Sequence, residues 1–475
     1  MSVKPVAIQT MRLFIMNTGQ HSGINFEDAP LSPVHKKVAT GVFLGQVTDG
    51  FTLSIVGTGI GYATKSLNLT DFWVGLISAG AFIGILFGSL CIGPITDKIG
   101  RKLLFSVTML IFAVLSVLQF FISDPLLLTI VRLAIGVTIG IDYTVSAALL
   151  TEWTPKRSRA RMLSSLLIFW IVGFAVAYAA DLIVIGMPHL GEDSWRWILC
   201  SSAIPGALAF IWRASTGIPE SPGWLARKGR KEEALALIHN HLGTQYCLPQ
   251  DEQGISTEKG APSVSWFTLF GPELRHKTLV GGIFYACQVF PFFGIGIFLP
   301  LVLANLNIEN PHAPGILYNV SMVIGVVFGV WLVDKISRRA YLMWTFYISA
   351  VILTIIALWH GMPPLLLVIM LSAFALVLSC AAVLENTYPP ELFPTELRGS
   401  GVGFSIAVSR LGAAAGTFLL PVINTNYGIY ASLGSCVIVL WFGTLVCQFW
   451  APETSVHFQK NSEGNSNRVA NKVHP

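Results

Sequence analysis

Twelve long, nearly uncharged apolar runs constrain this chain more than any other feature of its sequence. Crossing the hydrocarbon core of a membrane takes about 20 mainly apolar residues in helical form. Such runs lie at roughly 39–61, 72–95, 103–123, 126–150, 163–186 and 197–213, and again at 279–304, 315–333, 341–360, 363–385, 400–423 and 429–450. They are continuous and do not alternate every second residue, so the spans are helices and not barrel strands. Of the 475 residues 53% are hydrophobic and only 12% are charged, against about 25% charged in a soluble domain. That is too little charge to cover a soluble surface, and lipid supplies the missing cover.

The expected organisation is an N-terminal segment (1–38), a six-helix bundle (39–213), a polar link (214–278), a second six-helix bundle (279–450) and a polar tail (451–475). A short helix is expected in the link around Lys231–His241. The tail beyond about 456 reads as disordered. The opening stretch Val6–Met16 is too short to span, and no cleavable signal peptide is expected. The seven cysteines are scattered without metal-ligand or redox spacing and read as small packing residues. No metal, cofactor or enzymatic constellation is expected.

Basic residues set the expected orientation. The links after the second, fourth, sixth and eighth runs carry Lys98, Arg101 and Lys102; Lys156, Arg157, Arg159 and Arg161; Arg227, Lys228, Arg230 and Lys231; and Lys335, Arg338 and Arg339. The opposite links carry little beyond Lys65 and Arg196. The positive-inside rule therefore places the rich links and both termini in the cytoplasm of a cell (inner or plasma) membrane. The net charge of +5 reflects this orientation, and no nucleic-acid partner is expected.

The halves repeat one another. Asp97-Lys98-Ile99-Gly100-Arg101-Lys102 returns about 237 positions later as Asp334-Lys335-Ile336-Ser337-Arg338-Arg339. Glu152-x-x-Pro155-x-x-x-Arg159 returns as Glu391-x-x-Pro394-x-x-x-Arg398, and Pro219-Glu220-Ser221 as Pro452-Glu453-Thr454. Three motifs in one order at nearly one offset mark an internal duplication.

These motifs carry a resemblance. The stretch from Gly93 through Asp97 to Lys102 resembles the signature loop of the major facilitator superfamily. The segments starting at Pro219, Pro390 and Pro452 resemble its sugar-porter branch and the related bacterial metabolite–proton symporters, with Gly223 where sugar porters usually have arginine. The resemblance covers roughly 30–455 and implies an all-α membrane protein of twelve transmembrane helices in two pseudo-symmetric six-helix bundles, with a solute site near the midplane between them. The loop charges Asp97, Arg101, Glu152, Arg159, Asp334, Arg338, Glu391 and Arg398 are suited to pair across the interface of the halves as a cytoplasmic gate, or to serve as static caps of helix ends.

Ionisable groups inside spans are costly and mark candidate function. Asp49 lies in the first run and Arg132 near the outer end of the fourth. They are expected to neutralise each other, with protonation of Asp49 freeing the arginine, or to form a static bridge. The segment around Asp49 resembles the Asp-Gly-Phe/Tyr-Asp stretch of aromatic-acid–proton symporters, with Thr52 in place of the second aspartate. Gly140, Asp142 and Tyr143 resemble a helix of phosphate–proton symporters, in which Asp142 and Tyr143 line the site. The seventh run offers Gln288 and Phe292 but neither the aspartate of phosphate carriers nor the Gly-x-Asn of hexose carriers. Arg410, in the eleventh run, suits a carboxylate-bearing solute or pairs internally with Glu385. Trp170 and Tyr178 are further lining candidates, while Asp181 is placed toward the outer headgroups.

The expected activity is proton-coupled import of a small organic carboxylate by a monomer embedded in the bilayer. A sugar transporter or facilitator, a phosphate symporter or an exporter of the same fold is the alternative, and a non-transporting sensor or scaffold a remote one.

Overall fold

The computed structural model describes residues 24–187, 191, 193–249, 266–308, 311–394 and 397–455, without the side chains of positions 93, 94 and 97. The expected apolar segment at 6–16 and the tail beyond 456 lie outside the described residues. The chain is helical almost throughout. The first six spans are Pro33–Ser66, Asp71–Ile99, Arg101–Leu118, Pro125–Trp153, Lys156–Ile185, and a sixth in two pieces, Ser194–Cys200 and Ala203–Ser215. The seventh span, Arg275–Ile297, continues into Leu299–Asn305. The remaining five are His312–Leu332, Arg338–Leu358, Pro364–Leu392, Arg398–Tyr427 and Ile429–Trp450.

Eleven of these are long and apolar enough to cross a membrane. The exception is the first, whose 34 residues reach roughly 50 Å at 1.5 Å per residue. Its hydropathy is lowered by Gln46, Thr48, Asp49, Thr52, Ser54 and Thr58, all of them buried. It packs on the fourth, fifth and sixth spans, so these polar residues lie inside the bundle. Most helices extend beyond the apolar runs that mark them in the sequence. Pro33, Pro125 and Pro364 stand in the first turn of theirs, where a missing N–H costs nothing.

Small residues bring the helices together. A Cβ at Gly84 would strike the Leu133 carbonyl and one at Gly136 the Ala81 carbonyl, so the second and fourth spans touch backbone to backbone. Gly325 and Gly329 serve the eighth span in the same way against the tenth, at Leu376 and Cys380. Contact between the halves runs mainly through two pairs, the second span on the eleventh and the fifth on the eighth, with the first span also meeting the seventh.

The link forms a small core of its own. Pro222–Arg227 and Lys231–Leu242 are helical, the second close to the helix expected from the sequence. Trp224, Leu225, Ala234 and Ile238 pack with Phe26, Tyr246 and Leu248. Ile24–Asn25 pairs in parallel with Tyr246–Cys247 as a two-residue strand, so the segment before the first span is docked on the link.

Candidate functional site

A cavity of about 470 Å³ lies between the halves. Its middle is walled by Tyr143, Trp170, Tyr285, Phe292 and Phe293, and its mouth by Leu90, Ala147, Gly399 and Gly403, toward the face that carries the link. The opposite face is closed. There the Tyr178 hydroxyl donates to the Pro311 carbonyl at 3.2 Å, and the Thr425 hydroxyl to Asp71 at 2.9 Å. Phe82 meets Phe293 with ring centres 4.5 Å apart. Among the described residues the cavity therefore opens toward the link face.

Its polar groups are few. The Trp170 indole N–H donates to the Tyr143 hydroxyl at 2.7 Å. The Arg410 guanidinium lies over the Tyr143 ring, 5.6 Å from its centre, and Arg410 Nε has no hydrogen-bond partner. Glu385 lines the same wall beside the Tyr285 hydroxyl. It lies within electrostatic reach of Arg410, but the two form no ion pair of 4 Å or less among the described residues. Of the residues expected to bind solute, Tyr143, Trp170, Phe292, Glu385 and Arg410 thus share one cavity. Gln46, Tyr285 and Asn386 line it too and were not singled out in the sequence. Each is an ordinary polar or aromatic residue whose orientation depends on how its helix is rotated.

Three expected lining residues lie elsewhere, Tyr178 among them, at the closed opposite face. Asp142 is fully buried in an ion pair with Arg213 of the sixth span, at 2.5 Å. Gln288 is fully buried, its Nε2 near the Leu378 carbonyl at 3.5 Å and its Oε1 without a partner. The expected bridge between Asp49 and Arg132 is also absent. Both carboxylate oxygens of Asp49 lack a partner, and the Arg132 guanidinium reaches the Thr52 carbonyl at 3.5 Å instead. Thr52 lies almost one turn from Asp49 on the same helix, which sets the arginine too far along the first span to meet the carboxylate. Asp181, placed near headgroups by its position in the sequence, is buried inside the bundle beside Thr58.

The loop motifs form two copies of one network. In the first half Arg101 pairs with Glu152 at 2.6 Å, Arg227 pairs with Glu152 at 2.9 Å, and the Ser221 hydroxyl donates to Glu152. The Glu220 carboxylate accepts the backbone N–H groups of Arg101 and Lys102 at the start of the third span. In the second half Arg338 meets Glu391 at 3.3 Å and the Thr454 hydroxyl donates to Glu391 at 2.5 Å. Glu453 accepts the N–H groups of Arg338 and Arg339 at the start of the ninth span. The Pro-Glu-Ser/Thr motif thus supplies a helix cap and a hydroxyl in each half. A carboxylate at a helix N-terminus satisfies orphan donors and meets the positive end of the dipole.

The ion pairs described in these networks each lie within one half, and among the described residues no ion pair joins the two networks across the open mouth. Arg159 pairs with Glu27 of the N-terminal segment at 2.8 Å, and Lys156 joins it at 2.8 Å. Asp334 touches Arg338 at 3.5 Å and Arg398 is exposed. The Asp97 side chain lies outside the described residues.

Residues 30–461 match the family model described as sugar (and other) transporter. The inner membrane metabolite transport protein YgcS of Escherichia coli K12 is 35% identical over 92% of this chain and 95% of its own length. The putative metabolite transport protein YaaU of the same organism is 31% identical over 90% and 95%. In structure, the xylose transporter XylE of E. coli, in a partially occluded inward-open conformation, superimposes with a TM-score of 0.74 at 16% identity. That match covers 89% of this chain and 99% of XylE. XylE bound to 6-bromo-6-deoxy-D-glucose, described as a proton:xylose symporter, gives 0.68 at 18% identity, covering 89% and 96%. The chain belongs to the sugar (and other) transporter family of the major facilitator superfamily, and is a multi-pass membrane transporter of small solutes and not an enzyme.

Proposed function

We propose that this transporter imports a small organic carboxylate together with protons, by alternating access and as a monomer. The observation that carries the reading is Arg410, a guanidinium in the wall of a membrane-embedded cavity with its Nε unpartnered. An arginine there stays charged and calls for an anion, and a carboxylate suits its planar fork. The aromatic walls favour a solute with a flat or apolar body. A cavity of about 470 Å³ lies within the range of small-molecule sites, ~300–1,000 Å³.

The basic links put the cavity mouth on the cytoplasmic side and make this the inward-facing state. The two loop networks then act as hinges of the cytoplasmic gate, meeting one another when the mouth closes. Asp49 carries the proton, since its carboxylate is buried without a hydrogen bond. Each proton entering gains about 2.3 kcal/mol per 100 mV of membrane potential. A neutral sugar is the second reading, favoured by the oxygen acceptors of Glu385 and Asn386 in the cavity.

Thermal-shift measurements on the purified protein with monocarboxylates, sugars and phosphate distinguish these solutes. Carboxylates are expected to stabilise it, and a shift with neutral sugars alone overturns the anion reading. For a solute so identified, uptake into proteoliposomes under an imposed pH gradient is expected to run uphill. Asp49→Asn is expected to abolish accumulation while sparing exchange, and normal accumulation in that variant removes Asp49 from the mechanism.

A further inference from the structure

Asp142 of the fourth span and Arg213 of the sixth form an ion pair with no solvent exposure on either side chain. Arg213 Nη1 lies 2.5 Å from one carboxylate oxygen and Nη2 3.2 Å from the other. Two further donors are engaged by backbone. Nε donates to the Gly41 carbonyl at 2.9 Å, and Nη1 also donates to the Phe105 carbonyl at 2.6 Å. The guanidinium lies 3.7 Å over the Phe105 ring, and the Ser146 hydroxyl donates to Asp142 at 3.0 Å. Gly45 of the first span makes room for the pair, because a Cβ there would overlap both the guanidinium and the carboxylate.

Asp49 stands four residues beyond Gly45, on the same face of the first span. The charged and titratable groups within electrostatic reach of it are Asp142 and Tyr143 from the fourth span, Arg213 from the sixth and Arg410 from the eleventh. Arg132 is aimed further along the first span at Thr52, and Asp181 of the fifth lies further still, beside Thr58. Asp49 and Asp142 thus both lie within electrostatic reach of Arg213, and only Asp142 pairs with it. In a buried setting an ionised carboxylate left without a partner is costly.

We propose that Asp49, Asp142 and Arg213 form the proton-coupling unit, with Arg213 passing between the two carboxylates as Asp49 gains and loses its proton. The proposal rests on the symport reading and replaces Arg132 as the partner of Asp49. With a proton on Asp49, Asp142 holds Arg213 and the trio is neutral. Gln46, three residues from Asp49, lines the cavity, which gives the proton a path to water. Once the proton has gone to water, the Asp49 carboxylate draws Arg213 from Asp142. Arg213 also binds backbone of the first and third spans, so the exchange pulls on four helices of the first half.

Infrared titration of the purified protein in lipid vesicles tests this without a known solute. The carbonyl stretch of a protonated carboxylic acid that Asp49→Asn removes is followed against pH. In Asp142→Asn, Arg213 is released to Asp49, and the proton affinity of Asp49 is expected to fall at least tenfold. Arg213→Lys keeps the charge but loses the fork, and is expected to lower that affinity in the same direction; it serves where Asp142→Asn does not fold. An unchanged titration in whichever variant folds, or no band lost in Asp49→Asn, overturns the proposal. Loss of uphill transport in Asp49→Asn alongside an unchanged titration in Asp142→Asn overturns the trio and leaves the symport reading standing.

Discussion

The Arg410 guanidinium sits 5.6 Å from the centre of the Tyr143 ring, and the Tyr143 hydroxyl accepts the Trp170 N–H. The cation is thus held against an aromatic face that is itself pinned from the fifth span. A cation over an aromatic ring gains roughly 0.5–2 kcal/mol, depending on how far it is desolvated.

Replacing Arg410 by lysine keeps the charge but loses the planar fork that suits a carboxylate. Affinity for a stabilising carboxylate is expected to fall by about tenfold or more, corresponding to ~1.4 kcal/mol. Calorimetric titration checks this, and an affinity equal to wild type would mean that Arg410 does not contact the solute.

Glu220 and Glu453 cap the third and ninth spans through paired backbone N–H groups. Each change to glutamine is expected to cost about 1 kcal/mol of stability. The caps lie in different halves, so the two costs should add. Thermal unfolding of the two single variants and the double variant measures this.

Gly136 touches the Ala81 backbone directly. Valine at this position must push the second and fourth spans apart, at an expected cost of at least ~2 kcal/mol. A thermal unfolding midpoint close to wild type would show that the two spans part without penalty.

Glu27 ties the N-terminal segment to Arg159 and Lys156. Partial burial works against its charge, but the hydrogen bonds and charges of Lys156 and Arg159 outweigh burial and hold the carboxyl below its ordinary value of 4.5. A lowered value means the tie is fully present above pH 4.5 and is lost as pH falls through the lowered value. Amide exchange across 24–29 is expected to be slow at pH 7. Once corrected for the intrinsic pH dependence of exchange, it should rise below pH 4.5 toward the level of Glu27→Gln, while that variant changes little over the same range.

Much of the site was visible in the sequence because charge inside an apolar run is conspicuous. Asp49, Arg132, Asp142, Glu385 and Arg410 all stood out that way. Their partners did not. Arg213 closes the sixth run, in Phe210-Ile211-Trp212-Arg213, where a basic residue reads as an orientation charge at a helix end. Asp49 and Arg132 invite pairing as opposite charges inside spans, but the sequence does not fix their relative heights. A shift of three residues along a helix moves a side chain by ~4.5 Å, enough to give the arginine to Thr52 and to leave Asp49 beside Asp142.

The apolar runs, taken alone, determined that the chain spans a membrane in twelve helices, because a lipid environment leaves the backbone no other way to satisfy its hydrogen bonds between so many apolar residues. The repeated loop motifs determined that the helices form two related halves. Tertiary structure alone decided which charges meet. Helix rotation and relative height are set by glycine contacts such as Gly45 beneath Arg213 and Gly136 against Ala81, and those contacts join residues far apart in the chain. Periodicity gives each helix a face but no neighbour, so the pairing of Asp142 with Arg213, and the solitude of Asp49, appear only once the bundle is assembled.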